Sequence, residues 1–595
     1  MLRYLSVPVL LTWSIGAALV AADASDPLAG PVVEPSTQQS LGFHWIIRGD
    51  DDADARITVA YRTAGAAGAA WKDGAPLLRV RKGAHAQAGK EKHRSDLDVP
   101  ADGWLFAGSV LMLDPKSEYE VKLSLVDADG GSVEKLVKAG TTAEPTLPPA
   151  GTVVHVAPGS GGGRGTSSEP FLGLEAAQAA AKPGMRFVLA AGIYAGTALF
   201  AASGEPGKPI VWHGPDDGEA ILDGKGSGDS VPARVVSANE IHDVWFRKLT
   251  IRNAEFGMVL HGAQRIVIQR CRLSGVGYGI TCHDGPKGPA RDLVISDNVL
   301  VGEFKWILPF HGIPEGDAQW KQEKRGIEVT GTGHEVCYNR ISYFKDAIDT
   351  APSSVCADID FHHNDISQVI DDGIEMDGSD RNTRCFLNRI TDCHTGISIQ
   401  PVFGGPVYIF RNTLFNTNSE TLKMHNCPSG VRYFHNTTVK KAEPFLVSTG
   451  DKVSDCWFRN NIFIGTSGRA LNLDCPQAGC DFDFDGFGGW SGDVFLKFDG
   501  VKYATPEEAK AKAPIETHAV LLDPATTFAS GLVPPSDAAD KHDPVEFDLK
   551  PGSPAIDGGE ILPGLNDGFA GKAPDIGARE VGAPPVHYGP RPEKK

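Results

Sequence analysis

The sequence predicts an all-β chain whose central part is a solenoid of stacked β-coils, and a repeat and the composition support this prediction. The motif Asn-x-(apolar or Thr) recurs between residues 298 and 461, at Asn298, Asn339, Asn364, Asn388, Asn412, Asn436 and Asn461. The last six are 25, 24, 24, 24 and 25 residues apart. Such a period between short strand-like segments is typical of a solenoid. The 69 Gly, 41 Pro and 8% aromatic residues suit turn-rich β structure better than a helical bundle.

The first 24 residues predict a secretory signal peptide. Arg3 supplies a positive charge, residues 5–20 are apolar, and Ala22-Asp23-Ala24 is a small-x-small cleavage site. A membrane anchor is the alternative, but the apolar run is short for a span, and no later stretch is long enough to cross a bilayer. We therefore expect a secreted or periplasmic protein without an anchor.

The formal net charge of −18 disfavours nucleic acid and anionic membrane surfaces as partners. An anionic polymer would bind only where local Lys, Arg or His residues or a bound cation correct the field. All ten Cys lie between Cys271 and Cys480. In an exported protein Cys475/Cys480 and Cys385/Cys393 are candidate disulfides. The alternative is that several are small buried residues inside the coils.

Residues 38–145 alternate apolar and polar side chains in the manner of strands, and Leu113-Asp114-Pro115 precedes Tyr119 by a fixed turn. This pattern resembles the corner of a fibronectin type III-like β-sandwich, where the tyrosine hydroxyl bonds back to the chain. The resemblance implies a spacer or docking module. Residues 145–151 contain three Pro and form the expected linker.

Residues 151–465 form the predicted solenoid. Pro170 to Lys182 predicts a short Ala-rich helix ended by Pro183-Gly184, and strand-like segments follow from Phe187. This order is similar to the helical cap and first coils of a right-handed parallel β-helix of the pectin-lyase-like type. The resemblance implies that fold for the central part of the chain. We expect regular coils to end near Gly465 and residues 466–595 to form closing segments and a tail.

The repeat spacing fails once, because Asn298 and Asn339 are 41 residues apart. The surplus, residues 303–325, contains Trp306 and Trp320. Exposed aromatic side chains on a long loop predict stacking of sugar rings, so both are candidate substrate-binding residues. The alternative is that the loop packs its own Trp residues for stability.

Aligning the coils on their apolar strand positions gives columns of outward-facing side chains. The second and fourth positions of each strand are apolar and point inward, so the third and fifth point outward. Equivalent residues of successive coils should lie about 4.8 Å apart. The third-position column is Glu328, Asp349, Glu375, Ser398 and Lys423, and the fifth is Thr330, Ala351, Asp377, Gln400 and His425.

One face therefore carries six carboxylates on two adjacent coils. This acidic cluster consists of Asp346, Asp349, Asp371, Asp372, Glu375 and Asp377. Like charges on neighbouring strands destabilise a sheet, and so many carboxylates cannot all stay ionised without a cation or raised pKa values. The cluster predicts a catalytic or ligand-binding role. A structural Ca²⁺ site and a tolerated acidic surface are the alternatives.

The arrangement resembles the polygalacturonase branch of pectin-lyase-like glycoside hydrolases. Those enzymes carry Asn-Thr-Asp, an Asp-Asp pair one coil later, Gly-His-Gly and Arg-Ile-Lys. The matching stretches here are residues 344–346 (Phe-Lys-Asp), 370–372 (Ile-Asp-Asp), 393–396 (Cys-His-Thr-Gly) and 423–425 (Lys-Met-His). The Asn-Thr is missing, His394 falls one place off, and the basic pair is Lys/His, so the three Asp carry the resemblance.

The resemblance implies a glycoside hydrolase that needs no cofactor and acts on a polysaccharide or oligosaccharide. Asp371 is then the proton donor, Asp346 and Asp372 hold the attacking water, and His394 orients a carboxylate. The expected substrate-binding residues are Asp349, Glu375, Lys423, His425, Gln400, Trp306 and Trp320. We expect the protein to act as a monomer.

Two alternatives stay open. The first is a Ca²⁺-dependent polysaccharide lyase, in which Asp349, Glu375 and Asp377 bind the cation and Lys423 is the base. The cation would acidify the proton next to a uronate carboxylate. The second is a non-catalytic carbohydrate-binding surface protein, whose acids only hold structural Ca²⁺.

Overall fold

The computed structural model describes residues 24–65, 68–82, 95–149, 151–224, 233–306, 314–351, 354–447 and 449–593. The predicted signal peptide lies outside these ranges except for Ala24. Regular structure is nearly all β, with 4% helix, and the predicted parallel β-helix is confirmed as a solenoid of about 12 turns. No helix in these ranges is long and apolar enough to span a membrane.

The N-terminal part is an antiparallel half-barrel. Its strands are Asp26–Pro27, Val32–Val33, Leu41–Arg48, Arg56–Thr63, Lys72–Arg79, Gly103–Val110, Glu118–Val126 and Val133–Gly140. Lys72–Arg79 pairs with both Arg56–Thr63 and Gly103–Val110, and so joins the two halves of the sheet. The Asp114 backbone N–H donates to the Tyr119 hydroxyl at 3.0 Å. The fibronectin type III-like assignment itself stays a prediction.

Two long parallel sheets form most of the solenoid wall in the described part of the chain. The first contains Thr152–Ala157, Phe171–Leu172, Met185–Leu189, Ile210–His213, His242–Arg247, Gln264–Gln269, Val294–Ser296, Glu335–Cys337, Asp360–His362, Thr383–Phe386, Phe403–Phe410, Ser429–Phe434, Val453–Ser454, Trp457–Arg459, Gln477–Ala478 and Asp481–Asp483. The second contains Gly192–Ala195, Ala198–Leu199, Ala220–Asp223, Arg234–Ser237, Leu249–Val259, Arg272–Cys282, Val299–Val301, Arg325–Val329, Arg340–Ser342, Asp346–Asp349, Asp365–Glu375, Arg389–Ser398, Thr413–Thr417, Leu422–Lys423, Thr437–Val439, Ile462–Ile464, Gly486–Gly488 and Val520–Leu521.

Short elements complete the wall. One smaller sheet contains Gly331–Thr332, Cys356–Ala357 and Ser379–Arg381. The other contains Leu446–Val447, Leu471–Leu473, Leu496–Phe498 and Val501–Tyr503. The helices are Leu174–Ala179, Pro314–Trp320, Pro506–Lys512 and Pro524–Thr527. The predicted cap helix is thus shorter than residues 170–182, because Gly173 and Ala180 cap it.

The repeated asparagines form a ladder inside the solenoid. Each is fully buried, and the side-chain amide of each one before Asn461 donates to the side-chain oxygen of the next asparagine, as from Asn364 to Asn388 at 2.9 Å. The same amide also donates to a backbone carbonyl, here that of Val336. Because a buried amide has to be hydrogen-bonded, the ladder fixes the register of successive coils.

The structure corrects the predicted end of the coils and decides between the two alternatives for the cysteines. Parallel pairing continues past Gly465, since Gly486–Gly488 pairs with Ile462–Ile464 and Val520–Leu521 pairs with Gly486–Gly488. Asp485 takes the asparagine position there and accepts from Asn461 at 2.9 Å. The disulfides Cys475/Cys480 and Cys385/Cys393 are not formed, and the ten Cys are free thiols, nine of them buried. The alternative of small buried residues is the one observed.

The N-terminal part and the tail pack against the first solenoid sheet. Arg384 is fully buried between Asp360 and the Ser109 hydroxyl, and Arg381 pairs with Glu34 at 2.7 Å. In the tail, Arg591 pairs with Asp297 at 2.7 Å. The outward columns that carry the acidic cluster belong to the second sheet.

Candidate active site

The predicted column register is the observed one. Ile348 pairs with Ile327 on one side and with Ile374 on the other, and Ile397 pairs with Ile374 and Leu422. The third-position residues therefore pair in turn, in the order Glu328, Asp349, Glu375, Ser398 and Lys423. The alternation of the strands brings the six acids to one wall of the solenoid.

A β-bulge places Asp371 and Asp372 together. Val369 pairs with Cys393 and Asp372 pairs with Thr395, so one strand has an extra residue between these pairs. A bulge interrupts the strict alternation of side chains. Both aspartates therefore belong to the cluster. Lys345 contacts Asp371, and Lys423 contacts Asp372. His394 lies opposite the bulge.

The cluster is recessed rather than spread over a solvated face. Asp346 and Asp349 are 2% exposed and Asp372 is 1% exposed. Asp371 at 9% is the more accessible aspartate of the pair, and Glu375 is half-buried. A substrate would therefore meet Asp371 and Glu375 first, whereas the deeper acids can hold only a small species.

Three cations that never lose their charge at neutral pH neutralise part of the cluster. Arg325 pairs with Asp349 and lies 3.8 Å from Asp346. Lys345 Nζ lies 3.9 Å from Asp371. The sequence analysis assigned a role to neither Arg325 nor Lys345, although Lys345 stands directly before Asp346.

Lys423 is the third of these cations. Its Nζ is 2.6 Å from Oδ2 of Asp372, while Oδ1 of Asp372 is buried and has no hydrogen-bond partner among the described residues. The Asp372 backbone N–H donates to Oδ1 of Asp346 at 3.2 Å. A buried carboxylate oxygen without a partner indicates a position for a water or a cation.

Two of the three predicted Ca²⁺ ligands are already engaged by other groups. Asp349 is held by Arg325, and Asp377 accepts from the Ser398 hydroxyl at 2.9 Å and from the Gln400 backbone N–H. Carboxylate oxygens of Asp346, Asp372 and Glu375 instead lie within 4.8 Å of one another. This second set is the one that could hold a hard cation.

Burial and mutual repulsion raise the pKa values of the acids. Burial and the charge of Asp372 raise the pKa of Asp346 to about 7. Burial, Asp372 and Asp346 raise the pKa of Asp371 well above its ordinary value. Burial alone would lower the pKa of Lys423, but the carboxylates of Asp372 and Asp371 raise it. Protonated carboxyls and a charged lysine therefore coexist at neutral pH.

The two histidines have different surroundings. The His394 ring meets the Trp320 ring edge-on with centroids 5.6 Å apart, and the Asn418 amide lies 3.3 Å from its Nδ1. His425 Nε2 is 3.3 Å from Glu420, and this hydrogen bond raises the pKa of His425. Gln400 reaches the site through its backbone.

The prediction of two exposed tryptophans was wrong for Trp306. It is 8% exposed, and its indole N–H donates to the Ala539 carbonyl at 3.1 Å, so it packs the loop against a distant segment. Trp320 is half-buried beside His394, and Lys345 Nζ lies 5.2 Å from the centre of its ring. Of the two, Trp320 is the one at the acidic cluster.

No protein family and no curated protein matches the chain. Among solved structures it is similar to pectate lyase Pel9A, with 16% identity, 73% of this chain and 97% of that chain covered, and a TM-score of 0.38. It is also similar to an alginate lyase from Paenibacillus sp. str. FPU-7, with 15% identity and a TM-score of 0.31. That match covers 58% of this chain and 100% of the alginate lyase chain. A third similar structure is the catalytic domain of GH87 alpha-1,3-glucanase in complex with nigerose, with 12% identity and a TM-score of 0.27. That match covers 81% of this chain and 93% of the glucanase chain. At these values function has to be argued from the site itself. The chain folds as a parallel β-helix, as its resemblance to pectin-lyase-like proteins implied.

Proposed function

We propose that this chain is a polysaccharide-degrading enzyme that hydrolyses glycosidic bonds at the acidic cluster. The observation that supports this most is a contrast between neighbouring carboxyls. Asp371 and Asp346 have raised pKa values, while Asp372 is ion-paired to Lys423 at 2.6 Å. Neighbouring carboxyls in different protonation states are what acid/base hydrolysis of a glycoside requires.

Asp371 is the proposed general acid. It is the most exposed of the three aspartates and keeps its proton near neutral pH, so it can protonate the oxygen of the leaving sugar. Lys345, 3.9 Å away, would stabilise its carboxylate after the transfer.

Asp346 and Asp372 are the proposed water-binding pair. Their carboxylate oxygens approach within 4.8 Å, and Oδ1 of Asp372 is free to accept a hydrogen bond from a water. Lys423 pairs with Asp372 and holds it in place, so that Asp372 can take the proton of the attacking water. Trp320 and Glu375 are the proposed sugar contacts at the rim.

Replacing Asp371 tests this assignment. The Asp371→Asn variant should release reducing ends from a cleaved polysaccharide about 10²- to 10⁴-fold more slowly, because the amide cannot donate the proton. Its melting temperature should stay near that of the parent, since Asp371 lies at the rim of the cluster. The exposed Asp217→Asn is the matched control and should keep full activity. Near-normal turnover of Asp371→Asn would remove the assignment.

A Ca²⁺-dependent lyase is the second candidate, and the convergence of Asp346, Asp372 and Glu375 favours it. A hard cation held there would acidify the proton next to a uronate carboxylate, and Lys423 would remove that proton. The raised pKa of Lys423 opposes this role, unless the cation first neutralises the acids around the lysine.

The products separate the two candidates. Hydrolysis should give reducing ends without near-ultraviolet absorbance and should continue in EDTA. Elimination would give an absorbing unsaturated product and would stop in EDTA. A carbohydrate-binding surface protein would give neither product. Purified protein should be assayed on a polysaccharide panel with and without the chelator.

We further propose export to the periplasm or medium, on the basis of the N-terminal Arg3, the apolar run and the Ala22-Asp23-Ala24 site. Fractionation of expressing cells and the N-terminal sequence of the exported chain would test this. An intact N-terminus on a cytoplasmic protein would contradict it.

A further inference from the structure

A second polar pocket lies on another part of the same strands. Its cavity has a volume of about 480 Å³. One wall consists of the outward residues of Arg340–Ser342 and of the first halves of Asp365–Glu375 and Arg389–Ser398. Residues 541–544, from the C-terminal region, form the opposite wall. We call this the cationic pocket, after Arg340, Arg389 and Lys541.

A buried carboxylate positions both arginines. Arg340 pairs in register with Asp365, and Asp365 pairs with Arg389 on the next coil. Asp365 is 5% exposed and accepts from Nε of Arg340 at 3.2 Å and from Nε of Arg389 at 3.0 Å. Both carboxylate oxygens are therefore engaged by Nε groups. Nη1 of Arg389 lies 3.6 Å from Glu546, so the outer edge of Arg340 is the one that remains for a ligand among the described residues.

The opposite wall is fastened to the solenoid. The His542 ring lies 2.7 Å from Asp392, and its backbone N–H donates to the same carboxylate at 2.8 Å. Lys541 Nζ lies 5.1 Å from the centre of the Tyr343 ring and donates to the Tyr343 hydroxyl at 3.4 Å. No acid of the described residues forms an ion pair with Lys541, so its charge faces the pocket.

The pocket lacks the excess of acids that the chain as a whole has. Three fixed cations and two carboxylates, Asp365 and the exposed Asp543, line it, and Glu546 at 3.6 Å from Arg389 balances the third cation, while the whole chain has a net charge of −18. A ladder of alternating charges would by itself stabilise three coils. That explanation covers the two arginines and Asp365 but leaves out Lys541 and the cavity.

We propose that the cationic pocket binds the acidic group, a carboxylate or a sulfate ester, of one sugar residue, so that the substrate is an anionic polysaccharide. This rests on the proposed function. The Arg340 guanidinium, held by Asp365 through its Nε, suits a planar anion, and Lys541 adds a point charge. Strand Asp365–Glu375 carries both sites, so Asp365 and Asp371 lie within about 20 Å of each other. The pocket would hold a sugar away from the cleaved bond.

Binding to the Asp371→Asn protein tests the proposal without cleavage. Calorimetric titrations would use trigalacturonate, a sulfated carrageenan oligosaccharide and maltotriose as carboxylated, sulfated and neutral probes. Arg340→Ala/Lys541→Ala should bind the preferred acidic probe at least about tenfold more weakly and leave the neutral probe unaffected. The control Arg164→Ala/Lys138→Ala, which removes the same charges from exposed positions, should bind like the parent.

Several outcomes decide the question. The charge-preserving variant Arg340→Lys/Lys541→Arg should retain most of the affinity for the acidic probe. If Arg340→Ala/Lys541→Ala does not fold, the single variant Lys541→Ala is titrated in its place and should bind the acidic probe more weakly than the parent. The proposal is overturned if the parent binds neither acidic probe, or if the double variant binds them as the parent does. If the acidic probe binds through this pocket but the protein with Asp371 intact releases no reducing ends from it, the pocket is supported and the hydrolase assignment fails.

Discussion

At the scale of single residues, the site is an excess of carboxylates that is only partly neutralised. Six acids meet Arg325, Lys345 and Lys423, and burial raises the pKa values of Asp346 and Asp371. The sequence predicted the acids, since their columns follow from strand alternation. It did not predict the burial, which depends on side chains from other coils and from the inserted loop.

The raised pKa of Asp346 predicts a pH-dependent stability. Its ordinary value is 3.8 and its folded value is about 7, so the folded state binds the proton more tightly. This stabilisation is complete below about pH 4 and is lost as the pH rises to about 7, at about 1.4 kcal/mol per pH unit. In the Asp346→Asn variant, the free energy of unfolding should therefore fall less between about pH 4 and about pH 7 than it does in the parent.

The measurement is the free energy of unfolding by denaturant at pH 5 and pH 8 in the presence of a chelator. Asp217→Asn is the control and should follow the parent at both pH values. An Asp346→Asn variant with the same difference between the two pH values as the parent would show that Asp346 does not hold its proton in the folded state.

At the scale of elements, the asparagine ladder sets the positions of the acids. The second and fourth apolar positions of each strand predicted the register correctly, because inward and outward faces alternate strictly. The bulge at residues 369–372 could not be predicted in that way, because an extra residue breaks the alternation. The adjacent pair Asp371-Asp372 was its only trace in the sequence.

Replacing one ladder residue should destabilise the solenoid. Asn388 donates to Asn412 and to the Phe361 carbonyl and accepts from Asn364, all in the buried interior. Asn388→Ala leaves these groups unsatisfied and should lower the free energy of unfolding by about 3 kcal/mol. The exposed Asn239→Ala is the control, and chemical denaturation is the measurement. Equal stability of the two variants would argue against the ladder.

In the inserted loop, residues 303–325, the local sequence pattern did not predict which tryptophan is buried. Trp306 looked like an exposed platform because its partner, Ala539, is far away in the chain. Trp320 is at the cluster because the helix Pro314–Trp320 ends beside His394. The sequence identified both aromatic residues, and only the packing of the C-terminal segment separates their roles.

At the scale of the whole molecule, the N-terminal half-barrel is part of the solenoid assembly. The sequence predicted two units and a linker, but it could not predict their contact. Arg381 and Arg384 belong to the repeat, and their partners Glu34 and Ser109 belong to the half-barrel. These ion pairs and hydrogen bonds are buried, so separation of the two parts would leave charges without partners.

Removing one such charge should destabilise both parts together. Arg384→Met leaves Asp360 buried without its cation and should cost about 3–5 kcal/mol. The solenoid and the half-barrel should still unfold in one transition. Arg164→Met, at a position with a largely exposed side chain, should have little effect. Two separate calorimetric transitions in the parent protein would contradict the coupling.

Cleavage in isotopically labelled water tests the central claim most directly. If the acidic cluster hydrolyses glycosidic bonds with Asp371 as the acid, each new reducing end should contain one labelled oxygen, and Asp371→Asn should release almost none. Products that carry a double bond and no label, or labelled products released by the variant at the parental rate, would contradict the account.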